Sequence, residues 1–222
     1  MTNPDSDGLF DNDWDDCGEL SWSEADWQKY LANQETAVRE YIKHYDQLPA
    51  SMDRIDEAAR RMGWELADVM PESADDDDLD EDDDSFDGEW DPYTLHRNPV
   101  YISTRALYLS LLAHWERIAS QPDRVPPALG ISLQSLLYRG HEEALQAVQA
   151  LEMGDYTLAV VLFKKALREL NLTLARLAEP DAAETPHALR FKEYATPRLF
   201  DLREIWLRVM NECRQGGKAQ PE

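Results

Sequence analysis

Cysteine is nearly missing from this chain of 222 residues, and its two copies, Cys17 and Cys213, do not make a disulfide framework. Long apolar runs are missing too. The longest stretch without charge, Val125 to Tyr138, is broken by two prolines and a glycine, so no membrane-spanning helix is expected. The opening residues, MTNPDSDGLFDND, lack the positive and apolar regions of a secretory signal. These absences together make a cytoplasmic protein the expectation. Enzyme signatures are also absent: there is no phosphate-binding glycine loop, no Gly-x-Ser-x-Gly, no His-Glu-x-x-His and no Cys-x-x-Cys.

Positive charge is missing from two stretches. Residues 1–20 hold seven Asp/Glu and residues 71–91 hold thirteen, with no Lys or Arg in either, so these segments carry twenty of the net 23 negative charges. The rest of the chain is close to neutral. Such a field disfavours nucleic acid, whose binding draws on clustered Lys and Arg, and it repels anionic lipid. A basic protein or peptide is the partner it would attract.

Period-two alternation is the last absence, and it leaves no place for a sheet. What is present is the four-and-three spacing of amphipathic helices. The clearest case is residues 154–179, where Tyr156, Val160, Phe163, Leu167, Leu170, Leu174 and Leu177 form one seam behind Gly154 and the N-cap Asp155. An earlier helix is predicted from Ser21, with a Ser21/Glu24 capping box and a seam of Trp27, Leu31, Gln34, Val38, Tyr41, Tyr45 and Leu48, stopped by Pro49. A second runs from about Ser51 to Val69 before Pro71. The third starts at Pro99, with Val100, Thr104, Leu107, Leu111, His114 and Ile118 in register. QPDRVPPALG then reads as a loop, and the fourth helix covers 132–153, where Gly140, Ala144 and Ala147 would admit a close neighbour. Thr185-Pro186 and Thr196-Pro197 each signal a helix start, predicting a short helix over 187–195 and a longer one carrying Leu199, Leu202, Trp206, Val209 and Cys213.

The expected fold is all-α: an antiparallel bundle of about six helices crossing at roughly 20°, with a four-helix core built from the first, third, fourth and fifth. Residues 1–20 and 216–222 are expected to be disordered tails. Residues 21–215 form one domain interrupted by an acidic loop, 71–98. Seams left exposed on the outer helices would allow a homodimer.

His114 and His141 each fall near an apolar seam on helices expected to be antiparallel neighbours, with Glu116, Glu142 and Glu143 close in sequence. A His/carboxylate cluster in a bundle can hold a metal, and that is one candidate site. No Glu-x-x-His pair occurs, however, so two core histidines bonded to a carbonyl or a Tyr hydroxyl is the competing reading. Asp83, Ser85, Asp87, Gly88 and Asp91 match the early positions of a calcium loop, but the closing ligand position is Thr94. No cofactor is assigned.

The acidic segments share a short repeat. Residues 10–15 read FDNDWD and residues 86–91 read FDGEWD. Aromatics set among carboxylates suit a partner's apolar pocket with a basic rim, which makes Phe10, Trp14, Phe86 and Trp90 candidate partner-binding residues. The competing reading docks them on the bundle itself. Elsewhere Gly154, Asp155, Tyr156, Ala159, Phe163, Lys165, Ala166 and Leu167 resemble the helix junction and second helix of a tetratricopeptide repeat. The preceding helix departs from that family at Gln146, Ala147 and Ala150, Asn171 stands where a proline is usual, and there is no second copy, so no peptide-binding function is carried over. The expected function is a non-enzymatic interaction or adaptor protein, with a metal-binding bundle as the alternative.

Overall fold

The computed structural model describes residues 23–51, 53–64, 95 and 97–216, and all regular structure among them is helical. Among the described residues there are seven helices: α1 Glu24–Asp46, α2 Arg54–Arg61, α3 Pro99–Ala119, α4 Pro127–Glu152, α5 Tyr156–Ala178, α6 Pro180–Glu184 and α7 Pro186–Gly216. None of them is long and apolar enough to cross a membrane. The expected tail 1–20 and most of the 71–98 loop lie outside the described residues, as does the expected tail 216–222 apart from Gly216, which ends α7.

Local chemistry sets most of the boundaries. Ser23, not Ser21, caps α1: its hydroxyl accepts from the backbone N–H of Asp26, and the Asp26 carboxylate accepts from the N–H of Ser23. Helix α2 ends well before the expected Val69, because Gly63 adopts φ 76°. There the N–H of Trp64 reaches the carbonyl of Ala59 and that of Gly63 reaches Arg60, which closes the helix. Gly154, at φ 75°, repeats the device between α4 and α5, and Asp155 then caps α5 through the N–H of Leu158. Helix α4 starts at Pro127, inside the stretch expected to be a loop, since Leu129 is fully buried and the Gly130 carbonyl accepts from Trp115 Nε1 at 3.1 Å. Two prolines there open a helix instead of preventing one.

The expected break at Pro197 does not occur, and α7 runs through it. Proline removes one backbone donor, but Phe191, Ala195, Leu199 and Leu202 on either side are all fully buried, so tertiary packing outweighs the local cost.

Four helices form a ring in which α3 touches α4, α4 touches α5, α5 touches α7 and α7 touches α3. Residue pairs give their directions. Asn98 bonds Glu152 while Glu116 bonds Gln134 and Tyr138, so α3 and α4 are antiparallel. Arg139 with Glu169 and Ser132 with Arg176 make α4 and α5 antiparallel. Thr104 with Trp206 and His114 with Tyr194 do the same for α3 and α7. The fourth member of the core is therefore the C-terminal helix and not the first. Trp206 and Phe191 are fully buried in it, whereas α1 offers polar-tipped Tyr30, Gln34, Tyr41 and Tyr45 and lies outside, against α3.

The seam of α5 is also turned slightly. Its buried line is Ala159, Phe163, Ala166, Leu170, Thr173 and Leu177, with Val160, Leu167 and Leu174 only half-buried beside it. Alanines at 159 and 166 of α5 and at 144 and 147 of α4 are all fully buried, and among the described residues these two helices make the most extensive contact. Helix α3 is buried almost all round, having α1, α4 and α7 as neighbours.

Candidate functional site

His114 and His141 lie on neighbouring helices but look at different partners. The His114 ring stacks on Tyr194 of α7 at 4.2 Å, 21° from parallel, and its Nδ1 accepts from Arg117 at 3.1 Å. Partial burial and the Arg117 and Arg198 charges lower its pKa, so the stacked ring is neutral. His141 packs instead on Tyr108, with ring centroids 5.3 Å apart. Burial, helped by the Arg105 charge, pushes His141 down to about 4.

Nor do the carboxylates converge on them. Glu116 accepts from Gln134 Nε2 at 2.8 Å and from Tyr138 Oη at 2.7 Å, and Glu142 is exposed. Among the described residues no group of three or more His, Cys, Asp or Glu is placed to hold a metal ion. The histidines serve as aromatic plates between helices, and the cluster expected from His114, His141, Glu116 and Glu142 does not assemble. The reason is rotational: His114 faces α7 while Glu116, two residues on, faces α4.

A different polar line crosses the interior, and it includes residues that periodicity did not single out. Gln34 Nε2 donates to Tyr30 Oη at 2.9 Å, Tyr101 Oη lies 3.4 Å from Gln34 Oε1, and Arg105 donates to Tyr101 Oη at 2.6 Å. Tyr108 continues the line into the ring. Its hydroxyl is fully buried with no hydrogen-bond partner, and so is Nε2 of His141. Burial and the nearby Glu169 carboxylate raise the Tyr108 pKa, which keeps the phenol protonated. Its tip sits against the α4 backbone at Gly140, where a Cβ would come within 2.6 Å of Oη. A mid-helix glycine among apolar residues was the available signal for a close approach; the tyrosine that makes the approach left none.

A second cluster fastens α2 to α7. Arg54, almost wholly buried, donates to Asp201 Oδ2 from Nε and Nη2 at 2.9 and 2.6 Å, and Tyr45 Oη donates to the same oxygen at 2.5 Å. The Arg54 guanidinium also lies 4.2 Å from the Tyr45 ring centre. Arg198 repeats the theme beside it, reaching Asp46 at 2.5 Å and covering the Tyr194 ring at 3.6 Å.

The four aromatic candidates Phe10, Trp14, Phe86 and Trp90 lie outside the described residues, but the points where their segments join the body are described. Helices α1 and α3 run the same way, since Gln34 meets Tyr101 near one end and Asp46 meets Arg198, level with His114, further along. The start of α1 at Ser23 and the start of α3 at Asn98 therefore share one end of the bundle. Helix α2 turns back toward that end, and Trp64 just after it stacks on Tyr41 at 5.5 Å. Residues 1–22 meet the body at Ser23 and residues 65–94 return to it at Leu95, both at this end, whereas residues 65–94 leave it at Trp64 beside Tyr41, about 27 Å along α1 from Ser23.

No family model matches this chain, and no curated protein or solved structure matches it.

Proposed function

We propose that the protein is a cytoplasmic interaction or adaptor protein, a one-domain helical bundle that presents two acidic-aromatic segments to a basic or apolar-pocketed protein partner. One observation carries the reading: the two segments that repeat Phe-Asp-x-acid-Trp-Asp, and that hold twenty of the net 23 negative charges, meet a nearly neutral body at one shared end, the first at Ser23 and the second at Leu95. Two copies of a motif on one chain raise each other's effective concentration, so a partner with two basic, apolar-lined pockets gains avidity without new contacts. The interior polar groups support it from the other side, since the histidines and the Arg54–Asp201 cluster are engaged in packing between helices.

The test compares the full chain with a variant in which Phe10, Trp14, Phe86 and Trp90 are all alanine, at unchanged charge. The probe is a synthetic amphipathic Lys/Leu peptide, titrated by calorimetry. Affinity is expected to fall at least about tenfold while the thermal midpoint stays within roughly 2 °C. Unchanged affinity would reduce the segments to a diffuse charge cloud. A midpoint lowered by several degrees would assign the aromatics to the bundle's own surface and sink the proposal.

A further inference from the structure

Helix α7 carries a stripe that is left exposed among the described residues. Leu189, Phe200 and Leu207 are 42%, 49% and 41% exposed, and with Glu193, Thr196 and Arg203 they continue a four-and-three spacing along about 27 Å of helix. The opposite edge of α7 is occupied, by Tyr194 on His114, Asp201 on Arg54 and Arg208 on Asp56. The stripe thus faces outward. Its order of residues reads the same in both directions in a specific chemical sense. When two copies of a helix pack antiparallel about a twofold axis, contacting residues have numbers with a constant sum, because the contact is isologous. Setting Leu189 against Leu207 of a second copy brings Thr196 against Phe200 and Glu193 against Arg203, each pair occurring twice. Along the rim the same alignment places Arg190 beside Glu204.

We infer that this α7 stripe is the contact surface for a second copy of the chain, packed antiparallel with Leu189 on Leu207 and Glu193 on Arg203. Charge complementarity selects this occupant and register. Among the described residues Arg190, Glu193 and Arg203 form no ion pair within the protomer. Sliding the register by one heptad layer puts Glu193 on Leu207 instead. The outer face of α4 has more exposed apolar side chains, Ile131 and Met153, but between them Tyr138 is tied to Glu116 and no complementary charges pair under such a twofold. With three large apolar side chains from each copy, the contact is small and its dissociation constant is expected at about 1–100 μM.

Sedimentation equilibrium of the full chain over that concentration range, with native mass spectrometry, tests the proposal through a charge swap. Glu193→Arg alone and Arg203→Glu alone each set like charges against each other twice, and each is expected to weaken the dimer about tenfold or more. Combining Glu193→Arg with Arg203→Glu restores opposite charges and is expected to recover the dimer to within about threefold of the parent. All these positions are exposed, so the helical circular dichroism and melting of the variants should match the parent. A chain that stays monomeric at several hundred micromolar, as an order of magnitude, overturns the inference. A dimer indifferent to both single reversals, or one that the double reversal fails to restore, places the interface elsewhere and overturns it equally.

Discussion

Tyr108 and Gly140 show how much one atom can matter in this core. The phenol packs against the α4 backbone because position 140 has no Cβ, and its hydroxyl is left without a partner. Gly140→Ala is expected to cost about 1–3 kcal/mol, since the added methyl overlaps an oxygen held by fully buried neighbours. Tyr108→Phe removes that oxygen together with an unsatisfied buried group, so it is expected to be neutral or mildly stabilising. In the Tyr108→Phe background the cost of Gly140→Ala should shrink to well under half, and a double-mutant cycle by urea denaturation measures it. Equal costs in both backgrounds would mean that the tight approach is not made through the hydroxyl. The small-residue notch at Gly140, Ala144 and Ala147 was readable in the sequence, whereas the tyrosine it accommodates was not. Tyr108 lies off the predicted seam of its helix and became a core residue only because α3 is enclosed on several sides.

At the scale of elements, capping and stop signals were legible where they act through backbone groups a few residues away. Asp155 and Gly154 behave as expected, and Pro99 opens α3 behind its cap Asn98. Gly63 has the same chemistry as Gly154 and ends α2, although its apolar spacing alone would continue the helix. Pro197 and Pro127 were both read as interrupting a helix, and each is helical for its own reason. Buried residues on either side of Pro197 outweigh an interior cost of a few kcal/mol, whereas Pro127 stands at the first helical position, where its missing N–H has no helical partner to lose. The joint between α2 and α7 depends on charges 147 residues apart in sequence, which no local pattern announces. Arg54→Ala would leave the Asp201 carboxylate facing a buried gap, with only Tyr45 bonding it. A loss of about 3 kcal/mol is expected in urea unfolding. Retention of parental stability would show that water enters and replaces the guanidinium.

For the whole molecule, α1 and α2 are the elements whose removal should tell most. Tyr101 and its neighbours on α3 are buried partly beneath α1, and Asp201, Tyr194 and Arg208 on α7 are engaged by residues of α1, α2 and α3. A chain beginning at residue 95 keeps the four-helix ring but bares this face. Its thermal midpoint is expected to fall by roughly 10 °C or more, with new binding of a hydrophobic dye. An unchanged, cooperative transition would mean that the ring folds independently and that the first two helices form a separate attachment.

Sequence by itself determined the all-helical class, most helix starts, the glycine turn at Gly154, the segregation of negative charge into two segments and the repeated aromatic motif within them. Each of these follows from interactions between near neighbours in the chain, or from composition, and so is present in the order of residues. Tertiary structure alone decided that α7 and not α1 closes the ring, that α3 is enclosed, and that His114 and His141 turn toward different helices. Those outcomes depend on how each helix is rotated about its axis and on which neighbour covers it. That choice is set by the summed packing of distant side chains such as Trp206, Phe191 and Trp115, whose burial no single stretch of sequence contains.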